Sequence, residues 1–279
     1  MFYSDSIRAI AETAAKKVAF WRENPVGYLV AAMLAGAYVG VGVLLDFVIG
    51  GPLSLEKSPL MKIFMGGSFA IALSLVVFAG AELFTGNNLV MAIGWWRGKN
   101  TGGQMLAIWM LSWVGNLIGA ALLAVLLYYA NVLNPNEHVA TQQASYLLVQ
   151  DFAAKKMHLD PVTLLVRGAL CNWLVCLGTW CSYRMQTEIG KLVMIFWCLY
   201  AFVAAGFEHS VANMTLLTLA LLQPHAETIS IAGMGYNLLW ASVGNIIGGA
   251  IFVGAAYWSA SHLVRQERAA EKAGLTLVG

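Results

Sequence analysis

Apolar residues are concentrated in six long stretches of the chain, and their lengths predict helices that cross a membrane. A single crossing needs roughly 20 consecutive, mostly apolar residues. Four stretches satisfy this directly, near residues 26–49, 104–130, 162–183 and 229–260. The other two, 63–97 and 192–222, each contain an acidic residue and helix-weakening residues near the middle. We interpret each of these two as one crossing by a helix that is broken inside the membrane.

The composition supports a membrane protein and excludes two other classes. Hydrophobic residues make up 59% of the 279 residues and charged residues 11%, with a mean hydropathy of +0.71. Typical soluble domains carry roughly 45–50% apolar and about 25% charged residues. A net charge of +2 provides no basic surface for nucleic acid. The predicted fold class is therefore an all-α membrane protein in a lipid bilayer, without a nucleic-acid partner and without disordered domains.

Six crossings place both termini on the same side of the membrane, and the basic residues indicate which side. Most of the 16 lysines and arginines fall in segments on the side of the termini, whereas the opposite side receives Lys57, Lys62, Lys155 and Lys156. Positively charged loops remain in the cytoplasm. We therefore expect cytoplasmic termini, a membrane domain over 25–262 with a polar external loop over about 131–161, and a cytoplasmic tail over 263–279.

Residues 1–24 are too polar for the hydrophobic region of a signal peptide and predict an amphipathic helix on the cytoplasmic side. Ile7, Ile10, Ala14 and Val18 recur at helical spacing, with charged residues largely on the opposite face. This pattern is typical of a helix that lies on the membrane surface. We favour a surface anchor over a gating element.

The two halves of the membrane domain, about 25–130 and 160–262, resemble each other in sequence. Three motifs recur in the same order, and the pairs are Asn24-Pro25-Val26 with Asp160-Pro161-Val162, Gly80-Ala81-Glu82 with Gly206-Phe207-Glu208, and Gly115-Asn116 with Gly244-Asn245. A repeat of three crossings enters from the opposite face in its second copy, so the repeats are inverted. Such folds place the functional site near the midplane, at the broken helices. The glycines in these spans predict close helix packing.

The two breaks hold the ionisable candidates Glu82, Glu208 and His209. Ionisable groups at membrane depth are costly and normally face a partner or a watery cavity. An alternative for the glutamates is that they cap free amides where each helix restarts, and we favour it for Glu82. Both restarting half-helices point their positive N-terminal ends at the midplane, where Thr85 and His209 lie. This arrangement suits a small anion and repels a cation.

The motifs at the breaks identify a resemblance to a known family. The runs Phe207-Glu208-His209-Ser210-Val211-Ala212-Asn213-Met214 and Glu82-Leu83-Phe84-Thr85, together with the paired Gly-Asn motifs, resemble the formate/nitrite transporter family. The stretches GALCNWLVCL (168–177) and NLLW (237–240) are most similar to its nitrite-channel branch. The resemblance implies an aquaporin-like protomer, a homopentamer in the bacterial inner membrane, and passage of small anions such as nitrite and formate. We expect no cofactor and no enzymatic activity, because the sequence contains no HExxH metal motif and no GxSxG nucleophile motif.

Motif matching also transfers roles to individual residues. His209 matches the central pore histidine, with Glu208 and Asn245 as its hydrogen-bond partners, and Thr85 is the matching residue on the loop of the second span. Asn172 matches a pore-lining asparagine and Lys156 a lysine of the vestibule. The apolar constrictions on either side of the histidine match Phe69, Leu73, Leu83, Val175 and Phe202. Arg167 has no family counterpart that we can assign, and we favour interfacial snorkelling for it.

Two mechanisms and several other functions stay open at this point. Protonated His209 could donate its proton to the anion, which then crosses as the neutral acid, or the ion could cross as an anion with His209 as a hydrogen-bond donor only. Within the family, a formate or hydrosulfide channel is the alternative to nitrite. From another class, an intramembrane haem or redox protein lacks support, because His209 is the single histidine within a span.

Overall fold

The chain folds into ten helices in a computed structural model that describes residues 3–133 and 139–261. The predicted tail over 263–279, and residue 262 before it, lie outside the described residues. With π-helical turns assigned to the helix that they continue, the helices are α1 (Ser4–Glu23), α2 (Pro25–Leu55), α3 (Met61–Gly80), α4 (Phe84–Trp96), α5 (Gly102–Tyr129), α6 (Ala140–Met157), α7 (Pro161–Arg184), α8 (Glu188–Ala205), α9 (Ser210–Leu222) and α10 (Ile231–Ala260).

Six of these helices are long and apolar enough to cross a membrane, namely α2, α3, α5, α7, α8 and α10. The shorter helices α4 and α9 follow α3 and α8 after short non-helical segments. The second and fifth crossings are therefore broken, and the predicted fold of two inverted three-helix repeats is confirmed. The predicted limits of the spans differ from the helix limits by a few residues.

Glycines allow the first and third crossings of each repeat to pack with their backbones in contact. In the first repeat, Gly119 of α5 faces the carbonyl of Met33 on α2, and any Cβ at residue 119 would overlap that oxygen. In the second repeat, Gly248 of α10 faces the carbonyl of Ala169 on α7 in the same way. Glycines of these crossings thus serve close packing, as the sequence predicts.

The position of α1 contradicts the prediction of a membrane-surface anchor. Its apolar residues Ile7, Ile10, Ala14 and Val18 are almost completely buried within the protein, where α1 packs against α4 and α2. An apolar face that the bundle covers cannot also insert into lipid. The amphipathic pattern is real, but its apolar partner is the bundle itself.

The segment 131–161, which we predicted to be a polar external loop, contains the helix α6. This helix buries Leu148, Val149 and Ala153 and packs along α2. It precedes the helix that Asp160-Pro161 opens, as α1 precedes the helix that Asn24-Pro25 opens. Helices α1 and α6 are therefore counterparts in the two repeats.

Candidate functional site

A glycine with positive φ ends the helix before each break. Gly80 has φ 81° and Gly206 has φ 74°, a region that residues with a Cβ rarely adopt. The chain then runs extended through Leu83 and His209, after which α4 and α9 begin. The restarting helices thus begin at corresponding points of the two repeats, with their positive ends at the breaks.

Two asparagines from the Gly-Asn motifs hold the extended segments in place. Asn116 Oδ1 accepts the backbone N–H of Phe84 at 2.9 Å, and its Nδ2 donates to the carbonyl oxygens of Ala32 and Glu82 at 2.7 and 3.0 Å. This side chain therefore satisfies backbone groups that the break would otherwise leave unpaired inside the membrane.

Asn245 repeats this pattern in the second half. Its Oδ1 accepts the N–H of Ser210 at 3.0 Å, and its Nδ2 donates to the carbonyl oxygens of Gly168 and Glu208 at 2.8 and 3.0 Å. Asn245 is completely buried. The expectation that Asn245 is a hydrogen-bond partner of the His209 ring is wrong, because both ends of its amide bind backbone groups on either side of that residue.

The glutamates at the breaks form ion pairs and do not cap the restarting helices. Lys17 Nζ on α1 lies 2.6 and 2.7 Å from the two carboxylate oxygens of Glu82, which also accept from the Tyr28 hydroxyl at 3.0 Å and from Asn87 Nδ2 at 3.2 Å. The favoured capping role for Glu82 is therefore wrong. Asn116 caps the first amide of α4 instead.

The second repeat contains the matching ion pair. Lys156 Nζ on α6 lies 2.8 Å from Glu208 Oε1, while Asn213 Nδ2 donates to Glu208 Oε2 at 2.7 Å. The Glu208 side chain is 2% exposed. Among the described contacts Glu208 has none to the His209 ring, so the predicted pairing of these neighbours is wrong: the carboxylate turns to Lys156.

The ring of His209 lies where the two breaks meet. It is 4% exposed, its Nδ1 accepts the N–H of Ala212 at 3.1 Å, and its Nε2 lies 3.3 Å from Thr85 Oγ1 at the start of α4. Because Nδ1 is an acceptor, the single proton of the neutral ring resides on Nε2. Nε2 can then donate either to Thr85 or to a solute.

Asn172 connects the two breaks, and it lines neither of the two cavities described below. It is completely buried, and its Nδ2 lies 3.1 Å from the Thr85 carbonyl oxygen and 2.6 Å from that of Asn245. The geometry therefore does not support the prediction that Asn172 is a pore-lining residue. Asn172 ties the start of α4 to α10, which fixes Thr85 opposite His209.

Two cavities approach the breaks from opposite directions. The α1 cavity has a volume of about 540 Å³, and its walls include Lys17, Glu82, Leu73 and Leu83. The α6 cavity has a volume of about 110 Å³. Four of its lining residues are Lys156, Phe69, Phe202 and His209.

The predicted constriction residues divide between the two cavities. Leu73 and Leu83 belong to the α1 cavity, whereas Phe69 and Phe202 belong to the α6 cavity, with ring centroids 6.5 and 5.7 Å from that of His209. Val175 is buried, and of these two cavities it lines neither. Apolar side chains thus flank the histidine on both sides.

Several polar residues of the site were not singled out from the sequence, namely Lys17, Tyr28, Asn87 and Asn213. The internal repeat contains a signal for two of them, because Asn87 and Asn213 follow Glu82 and Glu208 at equal spacing. Lys17 could not be found in this way, because its counterpart Lys156 lies on α6, which was not predicted to be a helix.

Comparison with known proteins assigns the fold and the site to one family. The family model described as "Formate/nitrite transporter" matches residues 4–259. The chain is 40% identical to "Nitrite transporter NirC" of Escherichia coli (strain K12) over 259 residues, which are 93% of this chain and 92% of that protein.

Two solved structures have the same fold. A structure titled "FNT family ion channel" matches with a TM-score of 0.86 and 39% identity over 93% of this chain and 100% of the other. A second, "Pentameric formate channel with formate bound", matches with a TM-score of 0.72 and 24% identity, over 84% and 96% of the two chains. The chain belongs to the formate/nitrite transporter family, whose members are channels and transporters and not enzymes.

Proposed function

We propose that the chain is a membrane pore for small monovalent anions and that nitrite is its principal substrate. The observation that carries this proposal is the contact between His209 Nε2 and Thr85 Oγ1, where the N-terminal ends of α4 and α9 meet between two cavities. Helix N-termini and an N–H donor stabilise negative charge. An anion therefore finds favourable partners at the point where its loss of hydration is greatest.

The charged groups along the proposed route attract anions without binding them tightly. Lys17 belongs to the α1 cavity and Lys156 to the α6 cavity, and each is paired with a glutamate. Pairing cancels most of the lysine charge at a distance, so an anion is not held as it would be by an isolated ammonium group. Weak attraction is what conduction requires, because the ion must also leave.

The apolar side chains on both sides of His209 favour small, singly charged solutes. Phe69 and Phe202 on one side and Leu73 and Leu83 on the other offer no hydrogen bonds to an ion. The cost of moving an ion into such surroundings rises steeply with its charge. We therefore expect nitrite to cross and sulfate to be excluded.

We propose that His209 acts as a neutral hydrogen-bond donor through Nε2. An imidazolium ring carries protons on both nitrogens and has no acceptor. It would have to give up the hydrogen bond from the Ala212 N–H to Nδ1. The geometry therefore supports passage of the ion as an anion, and the transfer of a proton from His209 to the solute is the alternative that the experiments below test.

Nitrite is supported by the family branch, and formate is the second candidate. The relative at 40% identity is named a nitrite transporter, whereas the similar structure at 24% identity is a formate channel with formate bound. Both ions are planar and monovalent and present two oxygen acceptors. Hydrosulfide is a third candidate substrate, and the same assay tests it.

We further propose a homopentamer in the bacterial inner membrane with both termini in the cytoplasm. The pentameric state of the similar formate channel supports the assembly. The exposed apolar residues Leu122, Leu126 and Ile251 on the outer faces of the bundle suit contact with lipid or with another protomer. The distribution of basic residues supports the orientation.

Purified protein reconstituted into liposomes tests the proposed function. We expect nitrite uptake well above that of protein-free liposomes, competition by external formate, and no uptake of sulfate. Equal nitrite uptake in liposomes with and without protein would refute the proposal. Faster uptake of formate than of nitrite would instead select the second candidate.

A further inference from the structure

Asp46 is a buried acidic residue that the proposed pore mechanism does not use. It lies in α2, its exposed fraction is 6%, and its side chain lines the α6 cavity together with Lys156 and His209. An ionisable residue at membrane depth is costly, and it normally faces a partner or a water-filled space for a functional reason. Among the described salt bridges, none includes Asp46, which distinguishes it from Glu82 and Glu208.

The neighbour of Asp46 can support both of its protonation states. Ser68 Oγ lies 3.1 Å from Asp46 Oδ1 and 2.9 Å from the carbonyl oxygen of Met65. When Asp46 is ionised, the Ser68 hydroxyl can donate its proton to the carboxylate. When Asp46 is protonated, its own O–H can donate to Ser68 Oγ, and the hydroxyl then donates to Met65. Both states are thus satisfied without a rearrangement of the backbone.

The net charge of the α6 cavity depends on the protonation state of Asp46. Lys62 at the start of α3 and Lys156 on α6 are its cationic lining residues, and Glu208 pairs with Lys156. With Asp46 ionised, the two cations and two anions cancel. With Asp46 protonated, the cavity carries one net positive charge.

The other charged groups on helices that pack against α2 do not change this balance. Asp151 and Lys155 on α6 pair with each other at 2.7 Å. Helices α5 and α9 carry no Asp, Glu, Lys or Arg. The charged residues of α1 pack near the start of α2, about 30 Å from Asp46 at roughly 1.5 Å per residue. His209 is neutral in the arrangement described above.

We propose that Asp46 is a pH-dependent regulator of anion entry into the α6 cavity. Protonation gives the cavity a net positive charge and raises the local concentration of anions, whereas ionisation removes this attraction. The proposal rests on the proposed function, since it assumes that the anion passes through this cavity. Asp46 is then a titratable group, distinct from His209, that controls the flux of the anion.

The substitution Asp46→Asn tests the proposal in proteoliposomes across a pH series from about 4 to about 8, which begins near the ordinary titration of aspartate. The readout is the ratio of the initial nitrite uptake rate of the variant to that of the wild type at each pH. This ratio removes every other source of pH dependence that both proteins share. The matched control is Asp151→Asn, which removes an exposed acid from the neighbouring helix without touching the cavity lining.

We expect the Asp46→Asn ratio to be lowest at the acidic end, where part of the wild-type Asp46 is protonated, and to rise towards roughly tenfold at the alkaline end. One elementary charge has an effect of this size on an anion about 10 Å away at an effective dielectric constant of about 20. The Asp151→Asn ratio should stay at one throughout. A ratio for Asp46→Asn that does not change with pH overturns the proposal, whatever its value.

A second variant keeps the proposal testable if Asp46→Asn does not fold. Lys62 is exposed, and Lys62→Gln removes one positive charge from the same cavity. Its uptake ratio should fall to roughly one tenth at all pH values, by the same electrostatic reasoning. An unchanged ratio would contradict the charge balance described here. If the wild type itself takes up no nitrite, the proposed function fails. If the wild type takes up nitrite but the Asp46→Asn ratio does not change with pH, only the proposal for Asp46 fails.

Discussion

The hydrogen bonds of Asn245 predict a large loss of stability when this side chain is removed. Asn245→Ala leaves the N–H of Ser210 and the carbonyl oxygens of Gly168 and Glu208 without their partner in a fully buried place. An orphaned buried polar group costs about 1–3 kcal/mol. Because the Gly168 carbonyl lies inside α7 and keeps its intrahelical hydrogen bond, two groups are orphaned, and we expect the free energy of unfolding to fall by about 2–6 kcal/mol.

The matched control for Asn245→Ala is Ser242→Ala in the same helix. Ser242 Oγ accepts one hydrogen bond, from Trp113 Nε1 at 2.9 Å, and its loss should cost about 1 kcal/mol. The assay is reversible denaturant unfolding of the purified protein in detergent micelles, followed by tryptophan fluorescence. A loss for Asn245→Ala no larger than that for Ser242→Ala would refute the reasoning that this asparagine holds the break.

Two further substitutions test the packing and the ion pair. Gly119→Leu places a side chain against the Met33 carbonyl, forces α2 and α5 apart, and should lower the free energy of unfolding by at least about 1–3 kcal/mol in the same assay. Lys156→Met leaves Glu208 as an unpaired buried carboxylate and should cost about 3–5 kcal/mol, part of which the double variant with Glu208→Gln recovers. No recovery in the double variant would contradict the assigned pairing.

The membrane topology was predictable from the sequence because it follows from long-range composition. Continuous apolar residues have few alternatives to a transmembrane helix. The breaks were predictable because Gly80-Ala81-Glu82 and Gly206-Phe207-Glu208 place glycine and an acid where a continuous helix would bury both. The inverted repeat then followed from the order of the motifs.

The partners of the charged residues at the breaks were not predictable, for a physical reason. Whether Glu82 caps a helix or pairs with Lys17 depends on where α1 packs, and the hydrophobic pattern of α1 fits lipid and protein equally well. Helix α6 was missed because its 18 residues are only weakly apolar and show little amphipathic pattern. Its helical state depends on packing against α2, which a local pattern does not encode.

The role of His209 was only partly predictable. Its depth and its place at a helix restart follow from the sequence. Its tautomer does not, because that depends on the hydrogen bond from the Ala212 N–H to Nδ1, and the sequence does not specify this contact. The structure therefore replaces a choice between two open mechanisms with a proposal that names Nε2 as the donor.

The initial rate of nitrite uptake by His209→Leu, measured beside wild type and His209→Asn, tests the central claim most directly. Leucine removes the donor, and a hydrogen bond to a charged group is worth about 1.5–3 kcal/mol, so we expect a loss of at least about tenfold. Asparagine retains an N–H donor and can cap α9, so His209→Asn should keep most of the rate and the pH dependence of the wild type. Nitrite uptake by His209→Leu at the wild-type rate would contradict the claim that the imidazole receives the anion.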